Sequence, residues 1–203
     1  MDSTIRGLFK VLGIAEKAEP CIAVYAHCTP DECRKAGLTE NQVIAVKVYT
    51  SIVCASVLNA KLRGGRTRGL MNFCGVLDMA IALRPRSTVG PLYRGMDSTP
   101  PPFTVVDPTQ VIVLRGFSSF STDMRIASNF AGLGAVGCIL HLRPMPGFGS
   151  DVSDISSVDG ESEVLFNRGT TVVVDAVIIV DGVRHIYLRQ VPSTIGFATV
   201  ILS

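Results

Sequence analysis

The stretch Asp159-Gly-Glu-Ser-Glu-Val-Leu-Phe-Asn-Arg-Gly-Thr170 decides how the second half of the chain folds. Its apolar run predicts a short strand over 163–166, closed by Asn167-Arg168-Gly169. Thr170 then opens a β-branched run to Val180, and Asp181-Gly182 is a two-residue hairpin turn leading to a strand over 184–191. A fourth strand is predicted over 195–202. Upstream, residues 143–160 are rich in Gly, Pro, Ser and Asp and read as loop. Before that come strands over 136–142, 117–121 and 111–115, and a short one around 89–95. One helix, capped by Thr122 or Asp123, carries Ile126, Ala127 and Phe130 on one face.

Ahead of Pro85 the periodicity changes. Ile5, Leu8, Phe9 and Leu12 recur at helical spacing and predict a helix over about 3–18. Thr29-Pro30-Asp31-Glu32 starts a second helix that Gly37 ends. Thr39, with Gln42 completing a capping box, starts a long helix through about Leu62, with Val43, Val46, Val53 and Val57 as its core face. Another runs from about Arg66 to Leu83. Helices first and strands afterwards make the class α+β rather than alternating β/α. The expected organisation is a helical segment over 1–85 packed on a strand-rich core over 86–203.

The chain has 203 residues, of which 47% are hydrophobic, and a formal net charge of +2. That length buries a substantial core without disulfides. The charge is too small to argue for a nucleic-acid surface, and the cluster Lys61, Arg63, Arg66 and Arg68 reads as a solvated loop between helices. The six cysteines lack a paired zinc spacing, so no metal is expected and buried free thiols are the default reading. Charges in residues 1–20 break any signal-peptide core, and the apolar stretch 43–58 contains Lys47 and is short of a bilayer span. These features point to a cytoplasmic protein, with no membrane partner and no reading of oligomeric state.

Three short segments carry chemistry. In Pro91-Leu-Tyr-Arg-Gly-Met96 the Arg94 guanidinium suits a bidentate phosphate contact, and Gly95 lets a ligand approach the backbone. In Gly116-Phe-Ser-Ser-Phe-Ser-Thr-Asp123, Ser119 and Ser121 alternate onto one strand face. In the opening stretch, Glu161 and Glu163 sit two apart, so an extended strand puts both carboxylates on one side and couples their titrations. Such a pair suits a reaction through an oxocarbenium ion, one carboxylate stabilising the cation and the other acting as base.

The order Arg, then Ser-x-Ser, then Glu-x-Glu resembles the Arg–Ser–Glu class of mono-ADP-ribosyltransferases, and within it the small Mod-type enzymes of T-even phages. The matching residues are Leu92-Tyr93-Arg94-Gly95, then Ser119, Ser121, Asp123, Ala127, Phe130 and Ala131, then Glu161, Glu163, Val164 and Gly169. The resemblance covers roughly residues 88–175. It implies an ADP-ribosyltransferase-like core of two β-sheets behind the helical segment, with NAD as substrate. By the same resemblance Arg94 binds an NAD phosphate, Gly95 bonds the nicotinamide carboxamide, and Ser119 holds Glu163. Glu163 bonds the ribose and stabilises the oxocarbenium-like transition state. Glu161 engages the acceptor, an arginine of a target protein. The segment Ser119-Phe120-Ser121 departs from the usual Ser-Thr-Ser at Phe120. Phe120, Ser121 and Phe148 complete the expected cofactor contacts, Phe148 as a ring on nicotinamide, and the loop over 144–160 is expected to cover NAD and meet the target. Nucleic acid is the alternative acceptor, and a non-catalytic module of the same fold the third reading. A phage or bacterial effector acting in host cytoplasm is the origin the resemblance suggests. His27, His141 and His185 read as surface or satisfied core histidines.

Overall fold

A computed structural model describes residues 2–51, 53–86, 90–97, 103, 106–107, 109–132, 137–192 and 198–201. The elements in chain order are α1 (Asp2–Leu12), a 3-10 turn (Ala15–Lys17), α2 (Ala18–Tyr25), α3 (Pro30–Ala36), α4 (Glu40–Thr50), α5 (Ala55–Arg63), α6 (Met71–Leu83), β1 (Leu92–Met96), β2 (Gln110–Leu114), β3 (Ser118–Ser121), α7 (Met124–Ala131), β4 (Cys138–Arg143), β5 (Ser150–Asp151), β6 (Glu163–Phe166), β7 (Thr170–Val180), β8 (Val183–Gln190) and β9 (Ala198–Ile201). They form two compact units, Met1–Pro85 with Ser150–Gly160, and Arg86–Gly149 with Glu161–Ser203.

The first unit is helical, and local chemistry sets its breaks. The expected first helix stops early because Gly13 takes a left-handed φ of 81°. Its apolar face, Ile5, Leu8, Phe9 and Leu12, is buried. Thr29 caps α3 as expected, Glu32 completes a capping box that was not expected, and Gly37 ends the helix at φ 66°. The Gln42 carboxamide reaches back to the Thr39 amide at 2.9 Å, again as expected. The helix from Thr39 does not run to Leu62. The Thr50 hydroxyl bonds the Val46 carbonyl at 3.0 Å, and the Ser51 hydroxyl bonds that of Val48 at 2.6 Å, while Ser51 turns extended with ψ 147°. Hydroxyls that take carbonyls one turn back compete with the helical ladder. The restart as α5 shifts the buried face. Val43 and Val46 are in the core, but Cys54, Leu58 and Leu62 take the places expected of Val53 and Val57. The last helix begins at Met71, not Arg66, because Gly69 needs φ 79° against the Val11 side chain.

Residues 150–160, expected as part of the second half, belong to the helical unit. Arg84, 7% exposed, donates to the carbonyls of Asp151 (3.0 Å) and Ala36 (2.9 Å) and pairs with Asp154. The Ser150 hydroxyl bonds the Ile81 carbonyl at 2.6 Å, and the Ser157 amide donates to the Thr50 hydroxyl at 2.9 Å.

The second unit holds eight strands in the order β6-β3-β1-β4-β8-β7-β2-β9. They form one mixed sheet where a two-sheet core was expected, while helices first and strands afterwards are the expected α+β class. The joint is the parallel pairing of β4 with β8, in register from Cys138↔Arg184 to Arg143↔Arg189, which carries the hydrogen-bond ladder across. One face of the sheet is the main apolar core, including Leu92, Ile112, Phe120, Leu140, Phe166 and Ile186. On the other face α7 packs Ala127 and Ala131 against Ile139 and Tyr93. Two glycines make room for it. A Cβ on Gly95 would lie 1.9 Å from the Ala127 carbonyl oxygen, and one on Gly137 2.1 Å from that of Ala131. Asp123 caps α7 by accepting from the Arg125 amide. Asp181 and Gly182, at φ 49° and 79°, form the expected hairpin turn with both central residues left-handed.

Candidate active site

Strand register brings the three chemical segments together. Tyr93 of β1 pairs with Ser121 of β3, and Ser121 in turn pairs with Glu163 of β6. Directly paired residues project to the same face, so Tyr93, Ser121 and Glu163 form a row, with Ser119 two residues along on that face. A cleft of about 170 Å³ opens there, lined by residues of β1 and β3 from Tyr93 to Gly95 and from Ser119 to Ser121, by Ile126, Ala127 and Phe130 of α7, and by Glu161 and Glu163. Every residue in it belongs to the second unit.

The β1–β3 ladder consists of the single pair Tyr93↔Ser121. The strands part beyond it, and the Ser119 carbonyl accepts from Arg94 Nη1 at 3.2 Å instead. This bond holds the guanidinium at the cleft. Glu163 is 3% exposed at the first position of β6, opposite the Ser121 side chain. Ser121 is the register partner of Glu163, while Ser119 pairs with Leu165.

The two glutamates reach the cleft by a different route from the one expected. Strand alternation does not place Glu161, because β6 begins only at Glu163 and Ser162 has a left-handed φ of 46°. A non-glycine residue held there stores strain of order 1–3 kcal/mol and persists only where its surroundings enforce it. The end of β3 supplies that enforcement. The Ser121 hydroxyl donates to the Glu161 carbonyl at 2.6 Å and accepts from the Asp123 amide at 3.0 Å, and the Thr122 amide donates to the Ser162 carbonyl at 3.2 Å. Ser121 thus joins the Glu161 turn to the start of α7. Burial first, and then the charge of Glu163, push the Glu161 carboxyl above its ordinary value of 4.5.

Two expected cofactor contacts have their side chains placed differently. Phe120 points the other way, since alternation turns its ring into the core, 2% exposed and edge-on to Phe166 at 5.5 Å. Phe148 is 46% exposed and is not part of the cleft lining. Phe130, 50% exposed, lines it beside Tyr93, although it had been expected to pack inward with Ala127. The helical spacing of Ile126 and Phe130 beside Ser-x-Ser was the available signal, since residues four apart share a helix face. Gly95 lines the cleft, and its lack of a side chain serves the packing of α7. His141 is a satisfied histidine, its Nε2 2.8 Å from His185 Nδ1 and its ring stacked on Tyr187.

Residues 103–192 match the family model described as ADP-ribosyltransferase exoenzyme. Among solved structures, the chain is similar to Vis, an ADP-ribosyltransferase from Vibrio splendidus, in complex with the M6 inhibitor, at TM-score 0.69 and 18% identity, covering 95% of this chain and 90% of that one. Exoenzyme S from Pseudomonas aeruginosa, in complex with human 14-3-3 protein beta and carba-NAD, matches at TM-score 0.65 and 22% identity over 93% and 87% of the chains. Vis in complex with agmatine matches at 0.55 and 17% over 95% and 89%. A search of curated protein sequences finds no match. The chain therefore has the fold of the ADP-ribosyltransferases. The family match and that fold point to NAD-dependent ADP-ribose transfer.

Proposed function

We propose that this protein is a mono-ADP-ribosyltransferase of the Arg–Ser–Glu class that moves ADP-ribose from NAD to an arginine of a target protein. The observation that carries the reading is the convergence of Arg94, Ser121, Glu161 and Glu163 on one cleft of the second unit. Resemblance to the phage Mod-type enzymes rests on the motif residues alone.

The residues suit the chemistry. Breaking the bond between nicotinamide and ribose develops positive charge at the ribose, and the buried Glu163 carboxylate is fixed negative charge on the same face. Arg94 offers its guanidinium to a phosphate of the donor. Phe130 offers a ring to nicotinamide. Glu161, with its raised proton affinity, takes the proton as an acceptor nitrogen bonds to the ribose carbon. Ser119 and Ser121 position rather than react, with Ser121 fixing the Glu161 turn. An arginine acceptor is supported by the Glu-x-Glu spacing, and one similar enzyme is seen with agmatine, a guanidino compound.

The test is incubation with labelled NAD and either agmatine or a cell lysate. Labelled agmatine and nuclease-resistant labelled protein are expected. Glu163→Gln keeps the shape and removes the charge, so nicotinamide release should fall by about 10²–10³-fold. A nuclease-sensitive product would replace the protein acceptor with nucleic acid, and full activity of Glu163→Gln would remove the assignment.

A further inference from the structure

Two thiols of the helical unit take no part in the cleft. Cys28 lies just ahead of α3 and Cys33 within it, and their Sγ atoms are 2.9 Å apart. Both are partly buried, whereas the thiols of Cys21, Cys54, Cys74 and Cys138 are buried. The segment between them is fastened from several directions. The Thr29 amide donates to Glu32 Oε2 at 2.7 Å, and the Glu32 amide donates to the Thr29 hydroxyl at 3.2 Å. Lys47 of α4 donates to Glu32 Oε1 at 2.8 Å and to the His27 carbonyl at 3.4 Å. The cap and the lysine hold the backbone on both sides of the pair, so the sulfurs face each other with little freedom to separate. A disulfide bond is about 2 Å long, so closure needs the sulfurs to approach by roughly 1 Å.

We propose that Cys28 and Cys33 are a redox-modification site that closes reversibly to an intramolecular disulfide, with a small-molecule disulfide such as glutathione disulfide as oxidant. The reaction balances in two exchanges. The Cys33 thiolate attacks one glutathione sulfur and expels glutathione thiolate, which takes up the proton Cys33 released. Cys28 then loses its proton, attacks the Cys33 sulfur in the mixed disulfide and expels the second glutathione. Two protein thiols are oxidised and one glutathione disulfide becomes two thiols. The order follows from the surroundings. Burial, and then its bond with Cys33, push the Cys28 thiol up to about 12, so it suits the resolving role. The Glu32 carboxylate opposes the Cys28 thiolate, and the Lys47 ammonium paired with Glu32 partly offsets it.

The test uses the full chain, reduced and then treated with glutathione disulfide. Free thiols are alkylated and the product is cut with a glutamate-specific protease, which cleaves after Glu32 and separates the two cysteines. Expected are the loss of two hydrogen atoms, one cross-link between the Cys28 and Cys33 fragments, and its reversal by dithiothreitol. Cys28→Ser should instead retain glutathione on Cys33. Three results would each overturn the proposal: both thiols of the wild type staying open to alkylation, a stable glutathione adduct on either, or a cross-link between other cysteines. The wild-type mapping decides without the variant, and none of its outcomes depends on transferase activity.

Discussion

Gly95→Ala probes how the sheet holds the candidate site. The Cβ it adds would stand 1.9 Å from the Ala127 carbonyl oxygen and 2.8 Å from the Ala131 amide nitrogen. Real Cβ contacts essentially never fall below 3.0 Å, so the last turn of α7 must move off β1 by about 1 Å. The obstacle is helix backbone, which cannot swing aside as a long side chain can. Overpacking of this kind costs about 1–3 kcal/mol, and at roughly 2–4 °C per kcal/mol for a chain of this size the melting temperature should drop by about 2–12 °C. The larger effect should be on turnover. Ile126, Ala127 and Phe130 of α7 line the cleft, and the Asp123 cap is tied through the Ser121 hydroxyl to the Glu161 carbonyl. A displacement of about 1 Å at such groups costs on the order of 10²-fold in rate. The assay is release of nicotinamide from NAD beside a thermal melt. A Gly95→Ala protein with wild-type melting temperature and turnover would refute the view that this glycine exists to seat α7.

Other perturbations separate the roles of the cleft residues. Glu161→Gln should lose transfer to agmatine while retaining much of the slow release of nicotinamide to water; equal loss of both would place Glu161 in the bond-breaking step. The same change bears on stability. The Glu161 carboxyl is raised in the fold, so its contribution is full below its ordinary 4.5 and drains away as pH rises through the raised value. Glu161→Gln should therefore melt higher than wild type near neutral pH, and a lower melt would contradict the crowding of the two carboxylates. Phe130→Ala should raise the KM for NAD several-fold, with Phe148→Ala close to wild type; the reverse pattern would restore Phe148 as the ring at the donor. Burial, and then His185, hold His141 below its ordinary 6.5, so its contribution to stability is present above that pH and is lost as pH falls below it. Around it are Tyr93, Arg143, Asp175 and Tyr187, which line a second hollow with it, and His185 alongside. Thermal melts from about pH 8 to about pH 5 should show this loss, and His185→Gln should lessen it. A loss unchanged in the variant would mean that other groups drive it.

What could be read along the chain depended on how locally each feature is determined. Thr29 with Glu32, Thr39 with Gln42, and Asp181-Gly182 act within a few residues, and each does in three dimensions what its residue types imply. The three motif segments were legible for the same reason, since an arginine, a Ser-x-Ser and a Glu-x-Glu keep their identity wherever the fold carries them. Pairings between distant segments were not legible. Nothing local in Cys138–Arg143 says that it lies parallel to β8 and makes one sheet of two halves. Arg84 likewise shows no local sign that it binds residues 150–160 into the helical unit. The glutamate pair shows how two residues can meet at one cleft by a route that alternation does not describe. Alternation alone would align Glu161 with Glu163 only if Ser162 were extended, and it is not. Both carboxylates face one cleft because the β3 end grips the turn through Ser121 and Thr122. On that view Ser-x-Ser and Glu-x-Glu are two halves of one device, in which the second serine stores the conformation that brings the first glutamate to the cleft. Ser121→Ala should then behave as a Glu161 defect, losing transfer to the acceptor more than release of nicotinamide, although its own side chain touches neither carboxylate in the bonds that define the turn.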